Sequence, residues 1–138
     1  MHFGDLNNDN LDDVVYSANT QIFWCENLGN SIFSQPKLLL ESNLSLNQRF
    51  GKYFELHDMN NDNYLDIICG DRVSLNDGSV NFVIEPISGI GLYTVYSVFD
   101  AEGDGDFDII SYRNDVDGAD VYLFKNDGSL NFTQSTVK

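Results

Sequence analysis

A chain of 138 residues is one ordinary domain in length, and 42% hydrophobic with 13% aromatic content supplies a packed core, which excludes a disordered tail. Twenty-two acidic side chains against seven basic ones give a formal charge of −15, so the phosphate-neutralising surface that a nucleic-acid binder needs cannot be assembled, and an anionic membrane surface is excluded with it. Seventeen of the acids are Asp and another 16 residues are Asn, a bias toward short oxygen-bearing side chains that suits turns and hard cations. No run approaches the ~18 apolar residues of a membrane span, and Met1 to Asp5 has neither the basic nor the apolar region of an export signal. Cys25 and Cys69 make neither a disulfide framework nor a zinc cluster and read as small buried hydrophobes.

In chain order, the first element is an acidic loop, Asp5-Leu6-Asn7-Asn8-Asp9-Asn10-Leu11-Asp12-Asp13. A β-branched and aromatic run, Val14-Val15-Tyr16, follows it, then Ile22-Phe23-Trp24-Cys25, then a turn from Asn27 to Phe33. The same order recurs as the loop Asp58 to Asp66, the run Ile67-Ile68-Cys69 and the segment Asn76-Asp77-Gly78-Ser79-Val80-Asn81-Phe82. It recurs a third time as Asp100 to Asp108, Ile109-Ile110-Ser111 and Asn126 to Phe132. The Asn-Asp-Gly-Ser segments are hairpin signals. The loops begin 53 and 42 residues apart, which brackets the ~40–50 residues of a four-stranded propeller blade. Three units therefore fill the chain as 1–48, 49–90 and 91–138, with Glu41 to Arg49 as an extra loop.

In the third unit, strands are expected at Tyr93 to Phe99, Asp108 to Tyr112, Asp120 to Lys125 and Asn131 to Val137, with a turn over Asp115 to Gly118. The runs are too short and too β-branched for helices. Apolar residues at consecutive rather than alternate positions, as in Ile22 to Cys25, imply strands covered on both faces, the condition of a blade stacked between two others. The fold expected is all-β: three stacked four-stranded antiparallel blades of a partial β-propeller, the first lacking its inner strand because only Met1 to Gly4 precede its loop. Three blades do not close a ring of about four to eight. The chain is thus read as a fragment of a larger propeller, or as a piece that self-associates, or as an open stack.

Each loop carries oxygen at positions 1, 3, 5 and 9, where side chains on a tightly coiled backbone converge on one point, and Ca²⁺ takes six to eight such oxygens. Position 7 is Leu11, Tyr64 and Asp106, too varied for a side-chain ligand but suited to a backbone carbonyl. Position 6 is Asn10, Asn63 and Gly105, residue types that tolerate positive φ. An EF-hand would need Glu at position 12, where Tyr16, Cys69 and Ser111 stand instead.

These residues resemble the FG-GAP and related VCBS-type repeats, the blades of integrin-α-like β-propellers. The resemblance implies up to three calcium ions. It implies as their ligands Asp5, Asn7, Asp9, Leu11 and Asp13; Asp58, Asn60, Asp62, Tyr64 and Asp66; and Asp100, Glu102, Asp104, Asp106 and Asp108, with the position-7 residues acting through their carbonyls. It departs at Glu102, longer than the usual Asp or Asn, and in the absence of Gly-Ala-Pro; Phe50-Gly51 matches the family's first two letters. The implied role is a non-catalytic calcium-binding module of a secreted or cell-surface protein, serving adhesion or binding of a protein or glycan ligand.

An enzyme finds little support, since only His2 and His57 exist and no Gly-x-Ser-x-Gly or phosphate-binding loop is present. The alternative is a carbohydrate-binding propeller or an accessory domain of a carbohydrate-active enzyme, with Trp24, Tyr16, Tyr93 and Tyr112 as stacking faces. Blade cores use the same aromatics.

Overall fold

The computed structural model describes residues 1–19, 21–41, 54–88, 90, 95–115 and 118–137. They form twelve strands: β1 (His2–Gly4), β2 (Asp13–Ala18), β3 (Gln21–Cys25), β4 (Lys37–Glu41), β5 (Glu55–His57), β6 (Asp66–Cys69), β7 (Arg72–Asn76), β8 (Phe82–Pro86), β9 (Val95–Phe99), β10 (Asp108–Asp115), β11 (Gly118–Asn126) and β12 (Phe132–Val137). Consecutive strands pair antiparallel into three four-stranded sheets, β1 to β4, β5 to β8 and β9 to β12. The all-β, three-sheet expectation holds, and no helix occurs among the described residues. One detail is corrected. The first sheet does have an inner strand, because the three residues before its loop suffice for the pairs His2 to Val15, Phe3 to Val14 and Gly4 to Asp13.

The Asn-to-Phe segments are hairpins, closed by the register pairs Asn76 to Phe82 and Asn126 to Phe132 and by the bridge Asn27 to Phe33. Each encloses five residues rather than a two-residue turn. The chain reverses through left-handed backbone at Gly78 and Val80 and at Gly128 and Leu130. Val80 and Leu130 adopt a conformation unfavourable for their types. Their side chains pack against the two cores, which offsets that strain.

The sheets stack through those two cores. Leu6, Val15, Ile22, Trp24 and Leu40 of the first unit meet Phe54, Ile67 and Cys69 of the second. Met59, Ile68 and Val73 of the second meet Val98, Ile109 and Phe124 of the third. Alternation along β6 sends Ile67 and Cys69 to one core and Ile68 to the other, so this strand is buried at every position. Each such aliphatic side chain contributes about 1.5–3 kcal/mol. The inner strands β1, β5 and β9 run as neighbours from sheet to sheet.

Coverage on both faces is thus true of β6 in the middle sheet, while the last strand of that sheet, β8, exposes Val83 and Ile84. Phe3 and Leu38 on the first sheet, and Phe99, Tyr112 and Val137 on the third, are large apolar side chains left exposed. The aromatic residues divide accordingly: Trp24 is buried under Lys37, whose Nζ lies 4.6 Å from its ring centre, and Tyr16 stacks on Phe23 at 5.4 Å. Tyr93, Phe50-Gly51 and the body of the Glu41 to Arg49 loop lie outside the described residues.

Candidate metal loops and the clamp beneath them

Each acidic loop joins the first strand of its sheet to the second. Position 6 is left-handed in all three, at Asn10 (φ 68), Asn63 (φ 69) and Gly105 (φ 97), as expected. Position 4 is too, at Asn8 (φ 60), Asn61 (φ 60) and Gly103 (φ 76), a second reversal that the sequence reading passed over. Asn and Gly at both positions are the signal that would have shown it.

The position-1 carboxylate organises the coil. Asp5 accepts hydrogen bonds from the amides of Asp9 (3.0 Å) and Asn10 (2.7 Å). Asp58 accepts from Asp62 (3.1 Å) and Asn63 (2.7 Å). Asp100 accepts from Gly103 (2.6 Å), Gly105 (3.0 Å) and Glu102 (3.2 Å), and these amides, Gly105 foremost, hold its carboxyl below the usual aspartate range. Position 5 caps the next turn: Asp9 accepts from Leu11, Asp62 from Tyr64 and Asp104 from Asp106, at 2.9, 2.9 and 3.1 Å.

Position 9 is built differently. Asp13, Asp66 and Asp108 are buried, and each spans two backbone amides, one from loop position 2 and one from an asparagine that ends the third strand in the second and third sheets and lies two residues past it in the first. The pairs are Leu6 (3.1 Å) and Asn27 (2.8 Å), Met59 (2.9 Å) and Asn76 (2.9 Å), and Ala101 (2.8 Å) and Asn126 (2.9 Å). Burial pushes the Asp66 carboxyl up to about 6, against the pull of its two amides. Residues expected only as ligands are therefore also the clamps that fix loop to sheet.

Position 3 separates the three loops. The Asn7 amide donates to Asp9 (3.1 Å) and to Glu26 (3.3 Å), while its Oδ1 is buried and accepts no hydrogen bond among the described residues. Asn60 donates to Asp62 at 2.9 Å, and its Oδ1 meets the Asp62 amide at 3.3 Å. Glu102 is half-exposed and ion-paired to Lys125. Asp106, at position 7 of the third loop, accepts from Asn61 of the second, so neighbouring loops touch.

As they stand, the loops gather no metal-holding group of three acidic, histidine or cysteine side chains among the described residues. Calcium is tested instead by the chemistry of the donors. A buried carbonyl oxygen with no donor facing it is costly unless a cation or water meets it, and Asn7 Oδ1 is such an atom. Carboxylate oxygens that each accept amide hydrogens keep a second lone pair for a hard cation. The first loop fits calcium on both counts, the second on the latter, and the third departs at Glu102.

His57 Nε2 lies 3.1 Å from Glu55 Oε2, and its ring tilts against Phe107 at 4.6 Å. Cys25 and Cys69 are free thiols. No helix among the described residues is long and apolar enough to cross a membrane.

Comparison with known proteins agrees with this architecture. Residues 5–69, from the first loop through β6, match the FG-GAP-like repeat, and so the resemblance carried by the loops holds over that stretch. No curated relative matches the chain. Among solved structures, the chain is similar to one described as the structural basis of specific recognition of non-reducing terminal N-acetylglucosamine by an Agrocybe aegerita lectin, with a TM-score of 0.70 at 21% identity. The match covers 98% of this chain and 37% of that one. Identity this low shows the fold alone: a partial, open propeller that spans about a third of the neighbour's length.

Proposed function

We propose that the chain is a non-catalytic, calcium-binding repeat module of an extracellular or cell-surface propeller, whose loops hold calcium to fix the blades that present a ligand surface. The observation that carries this reading is Asn7 Oδ1, a buried acceptor with no donor among the described residues, in a loop whose Asp5, Asp9 and Asp13 carboxylates all accept backbone amides. Asp5, Asn7, Asp9 and Asp13, with the Leu11 carbonyl, would hold the ion in the first loop. The corresponding sets from Asp58 to Asp66 and from Asp100 to Asp108 would hold it in the other two. Calcium supplies charge and rigidity there: three ions take the formal charge from −15 to −9 and relieve self-repulsion in the compact state.

Calorimetric titration with calcium tests this reading. Binding that Asn7→Leu abolishes in its tightest phase supports it, and no heat at millimolar calcium overturns it. The ligand surface is the coarser part of the proposal. The lectin neighbour favours a glycan over a protein partner, and titration with N-acetylglucosamine in saturating calcium is the direct check. Adhesion to a protein partner is the competing outcome.

A further inference from the structure

The joint between sheets repeats, and its unmatched halves stand at the two ends of the stack. In the second sheet, Asn76 Nδ2 donates to the carbonyl of Leu6 in the first loop at 2.8 Å, and to its own Leu65 carbonyl at 3.3 Å. In the third, Asn126 Nδ2 donates to the carbonyl of Met59 in the second loop at 2.9 Å, and to its own Phe107 carbonyl at 3.3 Å. Both cross-sheet bonds are buried. Thus the position-2 peptide of one loop gives its N–H to its own clamping aspartate and its carbonyl to the asparagine of the next sheet. Asn27, the equivalent on the first sheet, bonds its own Asp12 carbonyl at 2.9 Å and reaches no loop of another sheet among the described residues. The carbonyl of Ala101, the equivalent on the third, meets no such asparagine among the described residues.

The apolar faces match the same scheme. Phe3 and Val14, outward on the first sheet, occupy the register positions of Leu56 and Ile67, which pack against that sheet from the second. Ile110 and Leu123, paired on the outward face of the third sheet, occupy those of Ile68 and Val73, which pack against the third from the second. Each end of the stack is therefore one side of an interface that the molecule already builds twice.

We propose that a second copy of this chain docks head to tail, the first sheet of each copy on the third sheet of the other, with Asn27 Nδ2 on the Ala101 carbonyl, giving a closed six-bladed ring of two copies. Propellers close with about four to eight blades. Of the whole multiples of three, only six falls in that range, which fixes the stoichiometry at two. Ala101 fills less of the junction than Leu6 or Met59, both fully buried in the internal cores, so this joint is weaker than the internal ones.

Sedimentation equilibrium of the full chain in calcium, up to about 100 µM, where micromolar contacts are populated, is expected to show a dimer and no larger species. Phe3→Glu and Tyr112→Glu, each altering an exposed side chain on one face, should each give a monomer with the parent's far-ultraviolet dichroism and a cooperative melt, lower only by the stability that association adds. Their equimolar mixture should recover a dimer through the one junction that joins the two unaltered faces. A monomeric parent chain at that concentration, as when the end faces await further blades of a longer polypeptide, overturns the proposal. So does either variant remaining dimeric alone, which marks a like-on-like contact.

Discussion

The first and third acidic loops share their aspartates at positions 1, 5 and 9 and follow one backbone course, and they part in what position 3 does. Both are coiled around a position-1 aspartate, reversed at positions 4 and 6, and clamped by a buried position-9 aspartate. At position 3 the first turns a buried, unmatched amide oxygen inward, and the third extends a longer carboxylate outward to Lys125. The scaffold of a metal loop and its fitness for metal are thus separable. Amide hydrogen bonds hold the shape, and one side chain decides whether an oxygen is left over for a cation.

The largest test of that separation removes what the loops share. Asp13→Ala and Asp108→Ala each strip the acceptor from two backbone amides, and each is expected to lower unfolding free energy by about 4 kcal/mol in urea melts. A marked difference between them would mean that the two scaffolds are not equivalent.

The middle loop gives the comparison a pH dependence. Asp66 titrates near 6 when folded and near 3.8 when unfolded, so the folded state holds the proton more tightly. Its contribution is fully present below the unfolded value and is lost as pH rises to about 6. In chelator, stability should therefore fall by up to about 3 kcal/mol across that window. Asp77, Asp100 and Asp127, held low chiefly by hydrogen bonds to their carboxylates, act the other way and lose stability only as pH drops below the ordinary aspartate range. Saturating calcium, which requires ionised ligands, should abolish the Asp66 fall; a slope unchanged by calcium would remove Asp66 from the ligand set.

Metal itself comes next. At a hundred times its Kd, calcium should stabilise each occupied loop by about 2.7 kcal/mol, read as a rise in Tm over chelator. Asn7→Ala should cut that rise, and Glu102→Asn, which gives the third loop the shorter amide, should enlarge it. Equal responses in both variants would make position 3 irrelevant. The smallest effect is expected for Lys125→Ala. Loss of an exposed ion pair leaves the Tm nearly unmoved, while calcium affinity at the third loop rises because a competing cation is gone, which calorimetry detects.

Much of this was legible in the sequence because it is local. Strands showed as short β-branched runs, the loops as spaced oxygens, and the hairpins as Asn-to-Phe segments that close in register. The extra residues of β10 and β11 beyond the expected ends, and the inner strand formed by His2–Gly4, escaped because strand length depends on the partner available. The side-chain roles of Asn76 and Asn126 escaped for a stronger reason. Their partners lie 70 and 67 residues away in sequence, a separation that no spacing within one unit encodes. Asp13, Asp66 and Asp108 were legible as oxygen donors but not as clamps, since one of the two amides each holds belongs to an asparagine 10 to 18 residues further along the chain.

The asparagine joint also bears on how such a chain changes length. Every unit carries a donor for the unit before it and an acceptor for the unit after it, on residues of its own repeat. Duplication of one unit inserts both halves at once, and deletion removes both, so either event leaves every remaining junction chemically intact. The number of units is then free to drift by whole steps while single substitutions at these asparagines are purged. Related sequences should accordingly vary in how many units they contain far more than in what joins them.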